Sequence, residues 1–318
     1  MGDFIDLLKT LFGKRFPFKL VYSSEYWMFD TGKHVFPLQK YRLVYENLLS
    51  MGARKDDFLR PRPAPDEDVL LIHTATYLEH LKTGTLSPAE IQALELRFSP
   101  DLIRFALLSV GGTVLAAQRA LNDGLALHVG GGFHHAFRDH GEGFCVLNDV
   151  AVAAEKMLAE KLARKVMVID CDLHQGNGTA AIFAGRDDVF TFSIHQTDVY
   201  PAHKPPGTLD VGLSSGDGDA KYLAELKKHI PRIYREFRPD LVLYLAGADP
   251  YEKDQLGGLR LTKPGLRERD KVVIENARRL RIPVAVVLAG GYASEIEDTV
   301  TIHLNTIRVA QHVQRVFS

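Results

Sequence analysis

The chain has only two cysteines, Cys145 and Cys171, and each lies inside an apolar or active-site-like segment rather than in a spaced framework. That excludes a fold stapled by several disulfides, favours a reducing compartment, and makes buried structural cysteine the expected state of both. Charge of one sign is also missing: 39 Lys and Arg nearly cancel 40 Asp and Glu, for a formal charge of −1. No global field therefore points to nucleic acid or an anionic membrane, and no nucleic-acid partner is expected. No run of eighteen apolar residues exists, and the first residues lack the basic-then-apolar layout and cleavage site of a secretory signal. Stable membrane insertion is not expected. Gly2 invites myristoylation, but the sixth position carries Asp6 in place of a hydroxyl residue. These absences predict a soluble, cytoplasmic protein. No internal repeat or low-complexity linker divides the chain, and the Pro-rich stretch Arg60–Pro65 reads as a surface loop.

What is present is core-forming material, 46% hydrophobic over 318 residues, enough for two domains or one large one. Residues 3–12 place Phe4, Ile5, Leu7, Leu8, Leu11 and Phe12 at helical spacing, so residues 1–18 read as an amphipathic extension that docks on the body or serves oligomerisation with a second subunit. Residues 19–318 read as one catalytic domain. Apolar or β-branched runs recur at Leu20–Tyr22, Leu125–Val129, Val166–Ile169, Val189–Ile194, Leu241–Leu245 and Val284–Leu288 without polar alternation, as in strands buried on both faces. Helical patterns separate them at Gln39–Ser50, Asp101–Asn122, Asp149–Lys161, Lys221–Phe237, Leu266–Leu280 and Ser294–Phe317. Alternation of this kind predicts a three-layer α/β/α domain around a mostly parallel sheet, with the functional loops at the strand carboxyl ends.

Chemistry collects at those ends. Val166–Ile169 runs into Asp170-Cys171-Asp172-Leu173-His174, and residues two apart in an extended segment share a side, so Asp170, Asp172 and His174 can face one crevice. Leu241–Leu245 leads to Asp249. Two Asp and one His make a three-ligand set that leaves a position open, the layout of a catalytic zinc. Leu125–Val129 leads through three glycines to Phe133, His134 and His135, and Val284–Leu288 leads through Gly290 and Gly291 to Tyr292. A Lewis acid, a general base and an oxyanion donor suffice to hydrolyse an amide. A binuclear manganese site would need further carboxylates, but Gly176 stands two residues after His174 and Tyr251 two after Asp249, which favours one ion. Iron or cobalt would also suit such ligands.

The segments GGGFHHA at 130–136, GFCVLND at 143–149, VIDCDLHQGNGT at 168–179, AGADPY at 246–251 and AGGY at 289–292 resemble, in order and spacing, the zinc-dependent histone deacetylase superfamily of the arginase/deacetylase fold. HQGNG and GKHVFPLQKYR at 32–42 look closest to bacterial members grouped with class IV. The resemblance implies one Zn2+ on Asp172, His174 and Asp249, His135 as general base and then acid, and His134 as its electrostatic partner held by Asp170. Asn177 would orient His135, and Tyr292 would donate to the oxyanion. It also implies a structural K+ at Asp170, Ser193 and the carbonyls of Asp172, His174 and Ile194. The tunnel for the acyl chain would be lined by Phe133, Gly143, Phe144 and Gly291. Where many members place a second aromatic before Pro-Gly, the loop 200–207 offers Pro205, which implies a wider, one-sided tunnel open to longer acyl groups. Leu256 stands where polyamine-type members carry Glu, which argues against a polyamine. The expected substrate is an acylated lysine in a protein or peptide. The alternatives are a small acylated amine or polyamine, and, in another class, a metal-binding protein without turnover.

Overall fold

The computed structural model describes residues 16–317; the amphipathic pattern at 3–12 lies outside them. The described residues form eight strands, of which the central ones arise from uninterrupted apolar runs: β1 (Lys19–Val21), β2 (Phe58–Leu59), β3 (Leu125–His128), β4 (Val166–Asp170), β5 (Val189–Gln196), β6 (Leu209–Leu213), β7 (Leu241–Leu245) and β8 (Val284–Val287). They form one sheet in the order β2-β1-β3-β8-β7-β4-β5-β6. Every neighbouring pair is parallel, so the sheet is wholly rather than mostly so. Every residue of the four central strands is buried.

The helices are α1 (Gln39–Ser50), α2 (Asp66–Val69), α3 (Ala75–Thr83), α4 (Pro88–Leu94), α5 (Pro100–Asp123), α6 (Asp149–Ala159), α7 (Asn177–Ile182), α8 (Asp219–Phe237), α9 (Lys263–Arg279) and α10 (Ile296–Phe317). One layer packs α5 on α6, with α5 lying across β1, β3 and β8; the other packs α8, α9 and α10 in series and α10 on α1. Local chemistry sets the ends of α5. The Ser99 side chain accepts from Leu102 N, Pro100 opens the helix, and Gly124 closes it at φ 82°. By length and composition α5 could span a bilayer, yet 67% of its most apolar window is buried inside the fold, as in a core helix.

The strand order places the site. The chain passes from β3 to β4 and outward through β5 to β6, then returns to lay β7 beside β4 and β8 between β7 and β3. The four strands that carry the chemistry at their carboxyl ends are thus adjacent, around the point where the winding reverses. The stretch Arg60–Pro65 is irregular and mostly exposed, as a surface loop, and one backbone bond ties it to α5: Ala64 N donates to Leu107 O (2.9 Å).

Candidate active site

The end of β4 turns by two successive side-chain brackets. Asp170 Oδ1 accepts from Asp172 N (3.1 Å), and Asp172 Oδ1 accepts from His174 N (3.0 Å). This keeps the two-residue register past the strand end, so all three side chains face one crevice. Neighbouring strands are tied in by the same carboxylates: Leu173 N donates to Asp249 Oδ1 (3.0 Å) and Gly290 N to Asp172 Oδ2 (2.9 Å). Only glycine fits there, because a Cβ at Gly290 would lie 2.2 Å from Asp249 Oδ2 and one at Gly247 2.7 Å from Asp172 Oδ2.

Asp172, His174 and Asp249, all buried, bring one ligand atom each within 4.8 Å of one another, and they could hold a metal ion. His174 Nδ1 is 3.2 Å from Asp172 Oδ1 and 3.4 Å from Asp249 Oδ2. Tetrahedral zinc with bonds of about 2.0–2.1 Å would hold its ligand atoms about 3.3 Å apart, so the spacing fits. Asp249 Oδ2 is buried without a hydrogen-bond partner, an arrangement that costs free energy unless a cation meets it. Burial and then the charge of Asp172 push the Asp249 carboxyl up to about 7. Burial alone would lower His174, but Asp172 and Asp249 raise it to about 10. The cluster calls for positive charge at its centre.

The loop after β3 is held from below. Gly132 N and Phe133 N donate to Asp149 at the start of α6 (3.0 and 2.7 Å), whose carboxylate also accepts from Thr113, which bonds His128 (3.0 Å) and through it Tyr26 (2.7 Å). His134 and His135 are thereby presented side by side, ring centroids 4.1 Å apart, in different states. His134 Nδ1 lies 2.6 Å from Asp170 Oδ2; burial opposes its charge, but Asp170 and Asp172 outweigh burial and raise it to about 9. His135 Nδ1 meets Asn177 Oδ1 at 2.7 Å, and burial, with the charges of His134 and His174, holds it well below the ordinary imidazole range. The same burial thus meets opposite surroundings: carboxylates favour the charged form of His134, and neighbouring imidazoles disfavour that of His135. Tyr292 is fixed by its backbone, with N donating to Asp254 Oδ2 (2.7 Å) and O accepting from Gln255 Nε2 (2.8 Å). Burial keeps its phenol protonated.

A cavity of about 150 Å³, bordered by Gly143, Phe144, Tyr200, Leu256 and Tyr292, leads inward past His135 and His174. It narrows to one of about 20 Å³ that reaches Phe133, His134, Asp172 and Gly290. That shape admits a linear chain rather than a bulky ligand. Two expected tunnel residues stand elsewhere. Pro205 does not border the cavity; its carbonyl accepts from Gln175 Nε2 (2.9 Å), and Tyr200 provides the wall, its ring 4.9 Å from that of His135. The expected one-sided aromatic tunnel is thus corrected: Phe144 and Tyr200 both border it. The open face of Gly291 is turned toward Thr299 and Ala248, away from the cavity. Ser193 pairs with Asp170 in the β4–β5 register, but its hydroxyl meets His195 Nδ1 (2.9 Å), and Ile194 follows it in β5.

Four residues escaped sequence reasoning. Tyr200 carried a signal, an aromatic directly before Pro201, and Asp149 closed a quoted motif. Lys40, fully buried with Nζ donating to Ala289 O (2.8 Å), lay within the quoted segment 32–42, and Glu142, bonded to Asn177 Nδ2, carried no signal beyond its type.

Comparison with known proteins agrees with this geometry. The histone deacetylase domain matches residues 34–307. The chain is similar to an uncharacterized protein of Picosynechococcus sp., 39% identical over 297 residues, 93% of this chain and 99% of that one. It is similar to histone deacetylase 2 of Arabidopsis thaliana, 32% identical over 86% of this chain and 74% of that one. Acetoin utilization protein AcuC of Bacillus subtilis is 33% identical over 76% of this chain and 68% of its own. Among solved structures, the HDA15 HD domain superposes with a TM-score of 0.79 at 22% identity, over 92% of this chain and 88% of that one, and shares the fold. With a domain match that runs from before α1 into α10 and encloses the carboxyl ends of β3, β4, β7 and β8, the chain belongs to the histone deacetylase family.

Proposed function

We propose that the protein is a zinc-dependent deacylase that hydrolyses the side-chain amide of acylated lysine in proteins or peptides. The observation that carries this reading is the narrow cavity that reaches Asp172 and His174, which form a candidate metal group with Asp249, with His134, His135 and Tyr292 on the same lining. Zinc held by the three ligands would supply a Lewis acid for the amide carbonyl and make water acidic.

The chain's own groups divide the remaining work. His135 bonds Asn177 through Nδ1, which leaves Nε2 with its lone pair to take a proton from water and return it to the lysine nitrogen, otherwise a poor leaving group. His134, charged beside Asp170, favours the negative charge that develops on the carbonyl oxygen. Tyr292 stays protonated and donates to that oxygen. Gly143, Phe144, Tyr200 and Leu256 exclude water around the methylene chain.

The test presents zinc-loaded protein with acyl-lysine peptides of several chain lengths and with acylpolyamines, beside an Asp249→Ala control. Turnover of the peptides, abolished in the control, is the expected result. Turnover that survives in Asp249→Ala breaks the metal assignment, and turnover confined to acylpolyamines moves the substrate to small amines. Hydroxamate binding without any product leaves a metal-binding protein.

A further inference from the structure

Asn177 is an amide, and an amide by itself does not determine the protonation of its partner. Turned one way it offers Oδ1 to His135 and requires a proton on Nδ1. Turned the other way it offers a donor, places the proton on Nε2, and leaves the ring unable to act as a base toward the cavity. The choice is made one residue further out. Glu142, directly before Gly143, accepts from Asn177 Nδ2 through Oε1, so Oδ1 must face His135, at 2.7 Å. The Glu142 carboxylate also lies near the Tyr200 phenol, and after burial its charge helps raise that phenol's pKa. Asn177 is buried at 2% exposure, whereas Glu142 sits at the mouth with its side chain 23% exposed.

We propose that Glu142 is a positioning residue for the base: it locks the Asn177 amide, and through it the tautomer of His135, and it provides from the rim the negative charge that an aspartate at 177 would provide directly. Two side chains, an acid and an amide in series, thereby take the place of one acid. The carboxylate that orients the base also lies near the tunnel wall at Tyr200.

This rests on the reading of His135 as general base, and the test separates the two. Four proteins are compared: wild type, Glu142→Gln, Asn177→Asp and the double variant, with kcat, KM and thermal midpoint for each on one acyl-lysine peptide. Glu142→Gln is expected to lower kcat about tenfold with KM and midpoint nearly unchanged, the lower end of the ~10–100-fold seen when a group supporting an active-site ligand is removed. Asn177→Asp alone is expected to lower kcat as well, because two carboxylates then face each other. Combined with Glu142→Gln it is expected to restore kcat toward wild type. A kcat for Glu142→Gln equal to wild type, or an Asn177→Asp effect of the same sign and size in both backgrounds, overturns the proposal. Full activity in His135→Ala overturns the underlying reading instead, whatever the other four do.

Discussion

At the scale of single residues, the site divides into groups that hold and groups that react. On the proposed mechanism Tyr292 belongs to the second kind: replacing it by Phe keeps the ring and removes the donor, and kcat should fall on the order of 10²–10³ with KM and thermal midpoint nearly constant in steady-state kinetics. Tyr200 holds the wall. Tyr200→Ala should shift the ratio of kcat/KM between long and short acyl chains on the order of tenfold, while Pro205→Ala leaves that ratio in place; equal effects of the two would return Pro205 to the tunnel. The residues at the strand ends were legible because a backbone with a two-residue period dictates which of Asp170, Asp172 and His174 share a side. Tyr200 was misplaced because a loop has no such period: spacing before a Pro-Gly pair indicated Pro205, and only the folded path of 200–207 shows which side chain turns inward. Glu142 was invisible for a related reason, since nothing local says that it meets Asn177, 35 positions away.

Among elements, the central strands were readable and the edges were not. β3, β4, β7 and β8 are apolar on both faces and leave an unbroken run in the sequence. β6 lies at the edge, where Leu209–Leu213 alternates exposed and buried positions around a glycine, and β2 has two residues; neither produces such a run. The helices α2, α3, α4 and α7 span four to nine residues, too short for a 3.6-residue period to stand out from a loop. One contact between elements bears on the ligands. Arg269 of α9, fully buried, donates to the carbonyls of Cys171 and Gly247, which belong to the two ligand-bearing loops, and pairs with Asp270, itself bonded by Tyr244 and Thr306. Arg269→Met would leave the buried Asp270 carboxylate without its ion-pair partner and take one donor from each of the two carbonyls. Urea unfolding should register a loss of about 3–5 kcal/mol, and a loss under about 1 kcal/mol would show that the clamp is dispensable.

At the scale of the whole molecule, neutral imidazoles built into the core contribute stability that is lost on the acid side. Burial holds His73, whose Nε2 accepts from Asn148 N (3.0 Å), down at about 4, and His128 down at about 3. In the unfolded chain both would titrate near about 6.5. Between these values the unfolded chain binds protons that the folded one refuses, so this part of the stability is complete above about pH 6.5 and is lost as pH falls toward 4 and then 3. Denaturant midpoints of wild type and His73→Gln compared across that window should differ by an amount that shrinks as pH falls from about 6.5 toward 4; a difference constant with pH would remove His73 from the acid response. The order of the sheet has a temporal meaning too. A chain emerging from the ribosome completes the outer strands first, and the middle of the sheet waits for β7 and β8, which arrive last. Until then Asp172 and His174 lack Asp249, the third member of the candidate metal group, and Tyr292 is not yet in place beside them. On the proposed mechanism hydrolytic capacity therefore switches on only after β7 and β8 are made, and a chain cut before β7 has no means of showing it.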